Sequence, residues 1–282
     1  MTDLLAPLLA LPGVEPAVAG ARSAIDALLS HRVLRRGSAE VTAESALRGA
    51  RASAELEGAG IELERLRGQL MAGGAVVLPG SSAGKDERGA RLVQGAVRLH
   101  ADLGQLLVAW RHSPRQALAR LHVLAAAELV DDADALGRPR GAGIEPDDPL
   151  DLGAAPDPLE VAARLDGLAR VLTTGTSAPA VVAAAVVHGE LMALRPFGTA
   201  DGLVARAASR LVLVDRGLDP KAVSAPEVGH AEMRREYAQA LQGYVSGGPA
   251  GVAAWIAHCA QAVELGAREG LAVCEAIRRG SG

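Results

Sequence analysis

The chain of 282 residues carries 29 Lys and Arg against 33 Asp and Glu, a formal net charge of -4 that excludes a general binder of nucleic acid or anionic membrane. Apolar residues make up 49% but aromatics only 2%, so the core must be built from Ala, Val and Leu, a mixture that favours helices. Two cysteines, Cys259 and Cys274, are too few for a disulfide scaffold and show no metal-ligand spacing, and no apolar run reaches the roughly 18 residues that span a bilayer.

The first twenty residues hold a short apolar stretch but no positive leader region, carry Asp3, and are broken by Pro7 and Pro12, so the chain reads as cytoplasmic rather than exported. A helical pattern runs from Val18 to Leu29 through Ile25 and Leu28, and Arg32, Arg35 and Arg36 behind it read as a solvated face. The stretch from Thr42 to Leu70 fits two short helices parted near Gly58-Ala59-Gly60. It contains Ser53-Ala54-Glu55-Leu56-Glu57-Gly58, where Glu57, taken alone, is a surface residue before a glycine cap. Met71 to Gly89 is rich in Gly and Ser and reads as a loop or linker. Its Gly80–Asp86 run falls short of a phosphate-binding loop: the spacing is one residue too small, Asp86 stands where Ser or Thr is needed, and no strand precedes it.

Two amphipathic helices are expected over Ala90–Trp110 and Pro114–Val130, with His100 and His122 on apolar faces as core or groove histidines. No histidine lies four residues from another histidine or a cysteine, which argues against a metal site on one helix. The Pro- and Asp-rich run from Gly143 to Pro158 precedes a helix over Leu159–Thr173. Then comes the most informative stretch, Val181 to Leu213. A nearly continuous apolar run should form a buried helix that ends near Leu194 or Arg195, because Pro196 bars the preceding residue from the α region. The loop Phe197–Gly202 supplies two glycines and a cap candidate in Thr199 or Asp201, and a second helix follows to about Asp215. A small-residue loop feeding a helix start presents free N–H groups suited to an anion, although a plain helical hairpin reads the same way. Further helices are expected over Pro226–Tyr244 and Pro249–Arg278, with Tyr237, Leu241, Tyr244 and Trp255 as core.

The segment Arg195-Pro196-Phe197-Gly198-Thr199-Ala200-Asp201-Gly202-Leu203-Val204-Ala205-Arg206 resembles the signature of the Fic (filamentation induced by cyclic AMP) family, His-x-Phe-x-(Asp or Glu)-Gly-Asn-Gly-Arg-x-x-Arg. Pro196, Phe197, Gly202 and Arg206 match it. The order of elements from about residue 45 to 265 is similar to the family's, as are a Gly-x-x-Arg turn at Gly137–Arg140 and a Pro-rich segment in the place of its flap. Ser53, Glu57 and Gly58 resemble the family's inhibitory motif, which implies that Glu57 pairs with Arg206.

The resemblance implies an all-α, Fic-like helical bundle, with either a short β-hairpin flap or an irregular loop at residues 140–158. It divides the chain into an N-terminal helical segment, 1–75, with an inhibitory-type helix, and a core over 76–282. Family members mostly transfer AMP from ATP to a protein hydroxyl, so nucleotide or anion contacts are expected at Arg195, Phe197, Gly198, Thr199, Ala200, Asp201, Gly202 and Arg206. The family's catalytic histidine is Arg195 here, which cannot accept a proton, and Thr199 and Leu203 replace its magnesium-holding acid and first phosphate-clamping arginine. Asp201, in place of the family's asparagine, either repels phosphate or recruits a metal. The expectation is a degenerate Fic-fold protein without AMP transfer, a nucleotide- or phosphate-binding or protein-interaction module with a protein partner and no nucleic acid or membrane. The alternative is an active adenylyltransferase working on ATP and magnesium and autoinhibited by Glu57.

Overall fold

A computed structural model describes residues 3–78 and 85–280 of the chain; most of the Gly80–Asp86 run lies outside the described residues. Among the described residues the architecture is all-α. The helices are α1 (Val14–Leu29), α2 (Ser38–Leu56), α3 (Leu63–Met71), α4 (Lys85–Asp102), α5 (Leu107–His112), α6 (Pro114–Ala126), α7 (Pro158–Thr174), α8 (Ala180–Leu194), α9 (Asp201–Asp215), α10 (Pro226–Glu232), α11 (Arg234–Ser246) and α12 (Pro249–Gly280). None is long and apolar enough to cross a membrane.

By contacts within the chain it forms two compact units: one from residues 1–49, 176–189 and 209–282, the other from residues 50–175 and 190–208. Both draw on sequence from either side of position 75. In the first unit α12 is the element on which α1, α10 and α11 pack. The apolar stripe of α1, Val14, Val18, Ala21, Ile25 and Leu28, recurs at helical spacing and is buried throughout. Close approach of α10 to α12 needs Gly229, where an added Cβ would fall 2.4 Å from the Ala262 carbonyl oxygen. Tyr237, Leu241 and Trp255 are buried as core, and Trp255 Nε1–H donates to the Ala185 carbonyl at 2.7 Å.

In the second unit α6 packs against α4, α5 and α7, and Gly95 of α4 lies so near that a Cβ there would meet the Ala125 oxygen at 2.0 Å. Caps set the helix starts: Pro114 opens α6, and the Asp157 carboxylate accepts from the Leu159 and Glu160 N–H groups, with Pro158 at the first position of α7. The expected helix over Ala90–Trp110 is broken into α4, a 3₁₀ turn at Leu103–Leu106 and α5. Gly104 weakens the helix there, while the tighter turn keeps Leu103, Leu106 and Trp110 buried. A second break, at Met233, separates α10 from α11.

The β-hairpin alternative for the flap does not hold, because residues 140–157 contain no strand. Proline at 146, 149 and 156 removes ladder donors, and Asp151, Gly143 and Gly153 take positive φ. The Asp148 carboxylate moreover accepts the N–H groups of Leu152 (2.9 Å) and Gly153 (3.1 Å), which a hairpin would have used between strands.

Candidate functional site

All the residues of the signature segment and of the Ser53–Gly58 motif fall in the second unit. The α8 helix ends at Leu194, Arg195 turns into the left-handed region (φ 42°) ahead of Pro196, and Ala200 does the same (φ 56°) just before α9 starts at Asp201. The result is a tight loop, Pro196–Ala200, delivered onto a helix N-terminus.

Asp201 decides what this loop presents. Its carboxylate turns back, one oxygen accepting from the Phe197 N–H at 2.9 Å and the other from the Gly198 N–H at 2.8 Å. The backbone donors that would cradle an anion are therefore held by the chain's own acid. Beside it, the Glu57 carboxylate packs on Gly202, where a Cβ would fall 1.9 Å from Glu57 Oε1. Glu57 pairs with Arg206 at 2.6 Å, while Arg206 also donates from Nε to the Ser53 hydroxyl at 2.8 Å and from Nη2 to the Ser53 carbonyl at 3.0 Å. The contact between Glu57 and Arg206 implied by the resemblance is thus present. Gly58 (φ 89°) explains how: Ala59 N–H bonds the Ala54 carbonyl and Gly58 N–H the Glu55 carbonyl, a Schellman cap that turns Glu57 inward. The glycine cap is present, but the Glu57 side chain, 9% exposed, is not the surface residue that the sequence taken alone suggests.

Arg195 is 2% exposed. Its guanidinium pairs with Asp148 at 2.9 Å and donates to the Gly153 carbonyl at 2.7 Å, pinning residues 148–153. Arg140 binds the other side: its N–H donates to the Pro196 carbonyl (2.7 Å) and its Nε–H to the Arg195 carbonyl (3.1 Å). The Thr199 hydroxyl donates to Asp147 at 2.8 Å, and Asp147 N–H donates to the Gly198 carbonyl at 2.8 Å. Leu203 is fully buried. Phe197 stacks on His122 with ring centroids 4.4 Å apart.

No family model matches the sequence, and no curated protein does. Solved structures do match. The chain is similar to a Fic family protein from Desulfovibrio desulfuricans (TM-score 0.70, 20% identity, covering 92% of this chain and 75% of that one). It is also similar to Fic-1 from C. elegans (TM-score 0.69, 18% identity, 93% and 73%) and to a Fic domain containing signaling protein from Bacteroides thetaiotaomicron (TM-score 0.61, 13% identity, 92% and 98%). The chain has the Fic fold.

On this Fic fold, the groups of the loop suited to an anion are already engaged by the chain's own residues. The loop N–H groups are taken by Asp201, the start of α9 is covered by Glu57, and Arg195 is tied to Asp148. Asp201, read from sequence as either repelling phosphate or recruiting a metal, accepts a backbone N–H with each of its two oxygens. Sequence reasoning missed Asp147 and Asp148, the partners of Thr199 and Arg195. The signal available was the acidic pair itself, lying in the Pro-rich run opposite an arginine without an assigned partner.

Burial pushes the Asp201 carboxyl from its ordinary 3.8 up to about 8, against the pull of the Phe197 and Gly198 N–H groups and of Arg140, with Glu57 adding to the rise. Between those values the folded chain holds a proton that the unfolded chain has lost, so this contribution to stability is full below pH 3.8 and disappears as pH rises through about 8. His122 and His258, both lowered to about 4 by burial, act oppositely, but only below their ordinary 6.5. Between pH 6.5 and 8 the unfolding free energy is expected to fall more steeply than in Asp201→Asn, by up to about 1.4 kcal/mol per pH unit. Urea titrations at three pH values check this; parallel slopes would show that Asp201 ionises freely.

Proposed function

We propose that this Fic-fold chain does not transfer AMP and serves as a protein-interaction module whose signature loop has become a structural joint. The observation that carries the reading is the Asp201 carboxylate seated on the Phe197 and Gly198 N–H groups. A phosphate approaching the loop would have to displace a buried acid, and a second one, Glu57, lies on Gly202. Arg195 supports the same conclusion: a guanidinium offers only donors and cannot take a proton from a target hydroxyl. The free thiols Cys259 and Cys274 suit a cytoplasmic setting.

Incubation with labelled ATP and magnesium, of the wild type and of Glu57→Gly, is the direct test. Neither is expected to acquire label, and neither ATP nor AMP is expected to raise the melting temperature of the wild type. The second reading, an autoinhibited transferase, draws its support from the Glu57–Arg206 pair. It requires label to appear in Glu57→Gly, and that result would overturn the first.

A further inference from the structure

We propose that His188, His230 and Cys259 form a buried site for a soft d¹⁰ metal cation, zinc(II) or copper(I). The three belong to α8, α10 and α12, all in the first unit, and each offers one ligand atom, these atoms lying within 4.8 Å of one another. All three side chains are buried. With metal–sulfur bonds of about 2.3 Å and metal–nitrogen bonds of about 2.0–2.1 Å, bound ligand atoms stand roughly 3.3–3.8 Å apart, so the trio needs to close by about 1.5 Å at most.

What surrounds the trio matches what metal-binding histidines require. His188 Nε2 lies 3.0 Å from the Tyr237 hydroxyl, and His230 Nδ1 lies 3.0 Å from His258 Nε2. Each imidazole is thereby oriented by a neighbouring side chain, as metal-binding histidines are by their outer partners. The Trp255 ring meets His188 edge-on at 4.9 Å and, together with Tyr237, keeps water away. As the metal–sulfur bond forms, the Cys259 thiol gives up its proton to solvent and no electron is transferred. A thiolate with copper(I) is neutral and suits a buried setting. Zinc(II) retains one positive charge, which a buried setting disfavours, so copper(I) is the better match of the two.

The site is tested with the full chain, unfolded and refolded under a thiol-free reductant with one equivalent of zinc(II), of copper(I), or of cobalt(II) as an optical probe, then desalted. About one metal retained per chain from zinc or copper is expected, with a thiolate-to-cobalt charge-transfer band and an X-ray absorption shell of one sulfur and at least two nitrogens. Cys259→Ala should weaken binding more than tenfold, while Cys274→Ala, on the same helix but outside the trio, should not. Should Cys259→Ala fail to fold, the cobalt band and the absorption shell of the wild type decide. No retained metal from either cation, a shell without sulfur, or a folded Cys259→Ala that binds as well as wild type would each overturn the proposal.

Discussion

Arg206→Ala is expected to lower the unfolding free energy by about 3–5 kcal/mol, the usual cost of removing one partner from a buried ion pair. The Arg206 side chain is 1% exposed and that of Glu57 9%, so solvent screens the pair little. Without the guanidinium, Glu57 would face Asp201, another buried acid, with no cation in the pair, and the Ser53 hydroxyl and carbonyl would each lose a donor. Glu57→Gln should cost less, because the amide still accepts from Arg206 and no longer disfavours ionisation of Asp201. Urea denaturation of both single variants and the double variant closes the cycle. A loss below about 1 kcal/mol for Arg206→Ala would mean that the pair contributes no more than an exposed salt bridge.

The second large effect concerns activity. Replacing Arg195→His, Thr199→Asp, Ala200→Gly, Asp201→Asn and Leu203→Arg together, in a Glu57→Gly background, is expected to turn an inert protein into one that acquires label from ATP. Asp201→Asn vacates at least one of the two loop donors, Glu57→Gly clears the start of α9, and Leu203→Arg returns a phosphate clamp. Leaving Arg195 in place in an otherwise identical variant should reduce the rate by about 10²–10⁴, the usual worth of a positioned base. The effects will not add, since the residues act as a unit. A folded six-fold variant that neither binds ATP nor acquires label would remove the basis for regarding this loop as a silenced nucleotide site.

The sequence made the α8–loop–α9 hairpin legible because its determinants are local: an apolar run, Pro196 as a stop, and small residues in the turn. The nearness of Glu57 to Arg206 was legible only through the family resemblance, since nothing local links residues 149 positions apart. The tie between Arg195 and Asp148 was not, because an arginine's partner depends on where an irregular segment folds back, and residues 140–157 have no periodicity to reveal it. The break at Leu103 hinged on a fraction of a turn, which an amphipathic pattern does not resolve. His188, His230 and Cys259 escape any search for spacing, because packing rather than sequence separation brings them together.

The first unit is assembled from pieces at opposite ends of the sequence, with α1 packed on α12. On a ribosome adding about 5–20 residues per second, roughly 10–50 s separate the emergence of α1 from that of its partner. Throughout that interval Val14, Val18, Ile25 and Leu28 lack the helix they are buried against in the folded unit, and the stripe stays open to water or to other apolar surfaces until α12 is made.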